Sequence, residues 1–402
     1  MSKQNRVIGV IIGCGLTSMA LAESSLQEAI KEGSVNGNIR AYYNTWDYGT
    51  KTDQTAFSLG GALRAETGSI GWAKFGLGYY TAQDLDTNNS DSSKVDPRLG
   101  SEIEVLGEAY FTLSGADSTL TVGRQKISTP FANPGDAFII PVTFEGTSFT
   151  NKSITDLTLQ AHYLTAIKNR NSDEFIDVGN FSTARYGVAS QETSGTIILG
   201  ANYKAEGLGV QAWYYQFSDL FDTTYLQANY AFAGTETIKP FVAAQVASQS
   251  DSGDKLLGEV DSTLWGVQGG LSMGKAKVTL GYNSIAEETN AFKNGAFLAP
   301  YNFSTSPLFT NNMLSTVENG NAGDASKLTF NYKFTDVKLK LSYASFDFEK
   351  DVADRDEIDV DVIYSLDKYE PGLSLRWRLA VVTSDTKSAE TTNHRFQVQY
   401  TF

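Results

Sequence analysis

Cysteine is nearly missing from this chain: one thiol, Cys14, in 402 residues. It lies in an N-terminal segment built like a secretory signal, so the exported protein is expected to hold none. That excludes disulfides, cysteine metal sites and a cysteine nucleophile. There are two histidines, His162 and His394. They are far apart and lack a local Ser or Asp motif, so they make no metal signature, and no cofactor is expected. A barrel enzyme pairing His162 with loop carboxylates is the remaining catalytic alternative. Long apolar runs are absent too. Beyond residue 22 no segment reaches the ~18 consecutive apolar residues of a spanning helix. Basic residues are outnumbered, 32 Lys and Arg against 46 Asp and Glu, and the net charge of −14 argues against nucleic acid as a partner. The acidic runs, 84–96, 251–259 and 349–357, read as solvated loops.

What is present begins with a signal peptide, residues 1–22. Lys3 and Arg6 precede an apolar run from Val7 to Leu16, and Ala20-Leu21-Ala22 offers a small-residue cleavage site. Cleavage at Cys14, as in a lipoprotein, would leave an apolar core of only about six residues, which is too short. In residues 23–34, Leu26, Ala29 and Ile30 fall at helical spacing and Gly33 is a stop, which predicts a short N-terminal helix.

From residue 35 the period is two. Ile39, Ala41 and Tyr43 alternate with Arg40, Tyr42 and Asn44, and Leu375, Trp377 and Leu379 with Arg376 and Arg378. About 17 such segments run to the end without a break in composition, which predicts one domain over 23–402. A single-chain barrel with both ends on one side needs an even number of strands, so one more is expected, near Tyr186–Ser190. The last segment ends on Phe402, with Phe396, Val398 and Tyr400 on its apolar face. A terminal aromatic, a signal peptide and this many strands favour an all-β transmembrane antiparallel barrel over a soluble sandwich. Aromatics near strand ends, among them Tyr43, Trp46, Tyr79, Tyr80, Tyr163, Tyr203, Trp213, Trp265, Tyr343 and Trp377, suit the two interfacial girdles. Gaps alternate between short turns and long loops, and the longest, 284–325, is expected to fold over the mouth.

One stretch breaks the alternation. Residues 123–149, GRQKISTPFANPGDAFIIPVTFEGTSF, hold Pro130, Pro134 and Pro141, yet Phe131, Phe138, Ile139, Ile140, Val142 and Phe144 need burial. A partly apolar loop between barrel strands finds that burial inside the barrel, so residues 126–150 are expected to form an inward constriction loop. An external loop packed on its neighbours is the alternative. With the apolar parity assigned to lipid, Lys275, Lys277, Lys333, Lys338, Lys340, Arg376, Arg378, Arg395, Arg40 and Arg64 face the lumen on strands that become neighbours when the barrel closes. Glu104, Glu108, Glu357, Asp359 and Asp361 face it as well, so parity leaves the sign of selectivity open.

GRQK, then TPF-NP-D and P-x-TFEG, followed by IKNRNSDEF at 167–175, resembles the constriction region of the OprD-type outer-membrane porins, and GLSLRWRLA resembles their penultimate strand. The resemblance implies 18 strands, a passive diffusion channel in a Gram-negative outer membrane, and an arginine and lysine ladder facing acidic groups of the inward loop. It also implies uptake of small carboxylate-bearing solutes. Asp136 and Glu145 are the candidates for the acidic side. Arg124 is a further candidate if a bulge turns it inward. The expected surroundings are the lipid bilayer, lipopolysaccharide, and small hydrophilic solutes and ions; the resemblance spans monomers and homotrimers, and the sequence leaves that choice open. A plugged or adhesive barrel is the alternative function.

Overall fold

The computed structural model describes residues 26–135, 137–301, 305–350 and 352–402. The signal peptide and Asp136 lie outside the described residues. The strands are β1 (Ser34–Tyr48), β2 (Gln54–Glu66), β3 (Ala73–Gln83), β4 (Ile103–Gly115), β5 (Ser118–Gln125), β6 (Thr143–Asn151), β7 (Leu157–Lys168), β8 (Phe175–Asp177), β9 (Thr196–Ala205) and β10 (Leu208–Phe217). They continue as β11 (Phe221–Ala231), β12 (Ile238–Asp251), β13 (Asp261–Met273), β14 (Ala276–Ile285), β15 (Gly323–Lys333), β16 (Val337–Phe348), β17 (Arg355–Ser365), β18 (Leu373–Ser384) and β19 (Thr391–Thr401). β8 is a three-residue piece capping the end of β7. Setting it aside, 18 of the 19 strands pair antiparallel in sequence order. β1 pairs with β19, Arg40 opposite Gln399 and Asn44 opposite Arg395, which closes the sheet into a barrel without edges.

The eighteenth spanning strand is not at 186–190, which is turn and loop following a helix. It is β6, inside the stretch that reads as loop, so the inward loop is shorter than 126–150 and ends at Val142. A register shift between Glu145 and Gly146 spoils the alternation there, and Gly146 leaves one face without a side chain. The predicted N-terminal helix is α1 (Leu26–Lys31), one and a half turns ending before Gly33. Ala29 is buried and its carbonyl accepts from Gly68 N (2.7 Å), so α1 rests on the β2–β3 turn.

Strand parity sorts the surface as a bilayer requires. Ile39, Leu63, Leu77, Leu199, Leu280 and Ile358 are exposed on the outer face. Tyr43, Tyr79, Tyr163, Tyr203, Trp265 and Tyr343 are exposed among them, whereas Trp46, Tyr80 and Trp213 are buried inside the barrel and belong to no girdle. The hairpins at the end carrying both termini are tight. Between β9 and β10, Glu206 and Gly207 take φ of 43° and 85°, the left-handed pair of a type I′ turn that matches strand twist.

The lumen is packed by three inward segments. The loop after β5 crosses the barrel: Phe131 sits among Tyr215, Tyr225 and Phe297 at ring distances of 5.6, 5.2 and 5.3 Å, on the wall of β10 and β11. Its far end, Phe138 to Ile140, packs with Tyr42 and Tyr80 on the opposite wall. Gly60 makes room for it, since a Cβ there would meet Ile139 at 2.8 Å. Truncating Phe131→Ala removes the anchor and should cost about 3–5 kcal/mol, read as a lower thermal unfolding midpoint in detergent. The second segment is formed by residues 286–301 and 305–322, which enter the barrel rather than only covering its mouth. Leu298 N donates to Gln249 Oε1 (2.8 Å) and Thr310 N to Asn283 Oδ1 (3.2 Å). The third holds α2 (Val178–Arg185), capped by Asp177, whose Oδ1 accepts from Gly179 N and Asn180 N at 2.8 and 3.1 Å.

The second and third segments meet at Glu318, buried beside α2. Burial pushes its carboxyl up from 4.5 to about 7, against the opposing influence of Ser306 and Arg185. A raised carboxyl stabilises the packed state while protonated. That contribution is complete below about pH 4.5, shrinks as pH rises towards 7 and is lost above it. Open-channel current noise should therefore grow across this window, and Glu318→Gln should remove the dependence.

Candidate functional site at the constriction

The inward loop meets the barrel wall where β18, β19 and β1 run side by side. Register places Arg378 opposite Arg395, Arg395 opposite Asn44, and Gln399 opposite Arg40, so three guanidiniums descend the wall diagonally. All three face inward and are largely buried under the loop. Arg40 donates from Nη1 to the Phe138 carbonyl and from Nε and Nη2 to Gln399 Oε1 (2.9 and 2.6 Å). Arg378 Nη2 lies 3.4 Å from both the Ala137 carbonyl and Tyr42 Oη. Arg395 donates to Asn393 Oδ1 (2.5 Å), with its guanidinium 5.8 Å from the Trp46 ring and 5.9 Å from the Phe138 ring. The wall therefore meets backbone carbonyls and an aromatic ring of the loop.

Of the two acidic candidates, Asp136 lies outside the described residues, and Glu145 is away from this wall. Glu145 is a β6 residue that pairs with Arg124 (Nε to Oε2, 3.1 Å), and register sets the two strands' residues directly opposite each other. Arg124 shares parity with Leu120 and Val122 and lies over the Phe175 ring at 4.3 Å, so no bulge in β5 turns it into the lumen. The inward cation of that region is Lys126, 3.7 Å from Glu108.

Glu104 does not face the lumen: a register shift at Gly107 reverses the parity of the start of β4, so Ile103 and Val105 are buried inside and Glu104 is exposed on the other face. The other acidic residues that parity points inward are engaged. Glu108, almost fully buried, accepts from Tyr80 Oη and pairs with Arg64 Nε at 2.7 Å. Asp361 is held by Arg376, Nε to Oδ1 at 2.8 Å and Nη2 to Oδ2 at 2.5 Å. Glu357 and Asp359 lie beneath residues 311–315: Leu314 N and Ser315 N donate to Glu357 at 2.8 and 2.6 Å, and Met313 N to Asp359 at 3.0 Å. Asp96, in a run that reads as solvated loop, is buried and binds Arg98 Nε (2.7 Å), Asn44 (2.7 Å) and Trp46 Nε1 (2.8 Å). Those partners hold its carboxyl below the usual range although burial alone would raise it.

The lysines spread towards the terminal end of the barrel. Lys277 caps the Phe241 ring at 4.2 Å, and Lys338 and Lys340 line β16, where Lys340 faces Asp361 across the ladder. Lys275 is an exposed turn residue rather than a lumen residue, since β14 starts one position later. Lys327 is an inward cation that parity reading had not singled out. It is buried, and its Nζ donates to the Asn311 carbonyl. His162 is buried against Ser148 (2.8 Å) and Gln160 (3.3 Å), and no cluster of three metal-ligating side chains occurs among the described residues.

Two cavities flank the contact. On the terminal side, one of about 480 Å³ is lined by Arg40, Arg64, Lys126 and Ile139. On the loop side, one of about 380 Å³ is lined by Arg98, Arg170, Arg185, Arg355 and Arg395, together with Trp46 and Phe138. The loop arginines were not legible in the sequence because no strand period orders them.

Residues 106–402 match the family model described as outer membrane porin, OprD family. No curated protein matches the chain significantly. Among solved structures, the chain is similar to OccK9 (OpdG) of Pseudomonas aeruginosa, with 20% identity, TM-score 0.78, and 93% of this chain and 99% of that one covered. It is similar to OccAB3 of Acinetobacter baumannii at 18% identity and TM-score 0.78, covering 93% and 100%. It is also similar to OpdK of Pseudomonas aeruginosa solved with vanillate, at 17% identity and TM-score 0.75, covering 93% and 99%. At these identities the structural likeness establishes the fold.

Proposed function

The chain belongs to the OprD family of outer-membrane porins and is a channel for small solutes in the outer membrane of a Gram-negative bacterium; from that premise we propose that its constriction favours anions, small carboxylates among them. One observation carries the proposal. The wall carboxylates Glu108 and Asp361 are each paired with an arginine, and Glu357 and Asp359 lie behind residues 311–315, whereas Arg378 and Arg395 face neutral carbonyls, amides and rings. A carboxylate already paired contributes little field, and a guanidinium beside a neutral dipole keeps most of its own. Where water is scarce the remaining charge sets the sign. The protein's net charge of −14 does not decide this, because charges elsewhere on the protein, exposed to electrolyte, are screened within about 8–10 Å. OpdK with vanillate, itself a carboxylate, accords with this reading. The test is the reversal potential of single channels in a planar bilayer under a salt gradient. An anion-preferring sign is the expected result, and a cation-preferring sign overturns the proposal.

A further inference from the structure

The outer face of the barrel is not uniformly convex. Where β17, β18, β19, β1 and β2 run side by side, an apolar groove of about 450 Å³ is let into the surface that faces lipid. Two adjacent register rows line it. The lower row sets Tyr364 opposite Leu375, Leu375 opposite Val398 and Val398 opposite Ala41. The upper row, two residues further along each strand, sets Trp377 opposite Phe396, Phe396 opposite Tyr43 and Tyr43 opposite Phe57. Tyr43, Leu375, Phe396 and Val398 are exposed, so the groove opens to the bilayer. Ala41 presents a single methyl group between larger neighbours, which gives the groove its depth.

The groove slopes. Tyr364 lies one residue from the end of β17, whereas Ala41 lies seven residues into β1 from the same end of the barrel. That end carries both termini and the tight hairpins, and faces the periplasm. The row therefore climbs from the periplasmic interface towards the middle of the hydrocarbon layer, as a register row must when strands tilt by about 40°. A cation stands at its foot. Lys368, in the turn between β17 and β18, has its ammonium 5.7 Å from the Tyr364 ring and 4.9 Å from the exposed Tyr369 ring. The lysine is half exposed and meets Asp336 at 3.6 Å, a solvent-facing contact of little worth.

We propose that this groove binds one glycerophospholipid of the periplasmic leaflet, with an acyl chain along the groove and the phosphate at Lys368. The occupant follows from the position. Lipid solvates this face, so a hydrocarbon chain fills the groove, and a chain rising from this leaflet begins at a phosphate. Four strand spacings of about 4.8 Å give a length of ~19 Å, enough for an extended acyl chain. Side chains on both sides hold that chain by dispersion contacts that a smooth wall offers on one side only. Lys368 adds attraction for the phosphate at the depth where headgroups lie. The site is on the outer face, so it does not depend on what the pore selects.

The experiment is native mass spectrometry of the full barrel, purified in detergent and titrated with phosphatidylglycerol, whose phosphate carries its only charge. The parent protein should take up one lipid at a concentration about tenfold lower than the next. Ala41→Trp fills the groove and should raise that first concentration about tenfold. Lys368→Gln should raise it about fivefold, the worth of one lysine at the membrane surface. Leu280→Trp, on the outer face of β14, should leave it unchanged. Single-channel conductance equal to that of the parent shows that each variant has assembled. A ladder of adducts without a distinct first step, or a first step that Ala41→Trp leaves in place, overturns the site. So does a dimer or trimer that Ala41→Trp disperses, because the groove is then a contact between copies. If Ala41→Trp does not assemble, Lys368→Gln decides: a weakened first step supports the site and an unchanged one rejects it.

Discussion

Channels carrying Arg378→Gln and Arg395→Gln together should lose most of their preference for anions. At a separation of ~5 Å and an effective dielectric near 20, each guanidinium contributes roughly 3 kcal/mol to a passing anion before screening. Two of them outweigh any single residue left at the contact. Once they are neutral, the formal charges nearby are Arg40, turned to the Phe138 carbonyl and Gln399, the Arg376–Asp361 pair, and the arginines of the loop-side cavity. Glutamine keeps donors on the β18–β19 wall, facing Ala137 and Asn393, so the loop keeps its seat and the pore its shape. The reversal potential under a salt gradient reads the outcome, and conductance in symmetric salt checks that the aperture is unchanged. Arg376→Gln is a different experiment. It frees Asp361, which Arg376 clamps with two bonds, and adds a negative charge to the lumen as it removes a positive one. A double variant with its anion preference intact would move the selecting charge to the loop arginines above.

The barrel wall was legible because lipid imposes a strict rule. Each spanning strand must show the bilayer an apolar face, so the period of two survives in Leu375, Trp377 and Leu379 or in Phe396 and Val398. The one strand missed, β6, is where a bulge and Gly146 interrupt that period, directly after Pro141. Parity also sufficed to put Arg40, Arg378 and Arg395 on the inward face, where the structure has them. Parity tells the side a residue faces and nothing about its partner. Glu145 looks available to the pore in the sequence, yet register sets it beside Arg124; Glu357 and Asp359 look like lumen charges, yet a loop more than 40 residues away in sequence covers them. Arg98, Arg170 and Arg185 lie in segments whose course is set by tertiary packing, and no local pattern marks them.

That covering loop leads to the second large effect. Substituting Glu357→Gln and Asp359→Asn together should release residues 309–316 from the wall and raise single-channel conductance. Three consecutive backbone N–H groups, of Met313, Leu314 and Ser315, converge on the two carboxylates, and Ser342 Oγ adds a bond of 2.8 Å to Asn312 Oδ1. Hydrogen bonds to a charged acceptor are worth about 1.5–3 kcal/mol each; the other ties of this segment to the wall include Thr310 to Asn283, Lys327 Nζ to the Asn311 carbonyl and Asn312 Nδ2 to the Glu357 carbonyl. Phe309 does lie against Gly281, where a Cβ would come within 3.0 Å, but that contact only permits the approach and does not hold it. An amide offers one acceptor where the carboxylate offered two. Its NH2 then faces a backbone donor, so the variant both weakens the attraction and adds repulsion. A loss of ~3 kcal/mol would shift a held-to-released ratio more than a hundredfold, enough to make the released state common if the held state leads by a similar margin. The strand pairs Glu357 with Ala344 and Asp359 with Ser342 through backbone bonds that the substitutions do not touch, so the barrel itself should persist. Larger or flickering conductance with an unchanged thermal midpoint is the expected signature. Unaltered conductance would mean that Gln249, Asn283 and the buried aromatic cluster seat this segment without the acidic clasp.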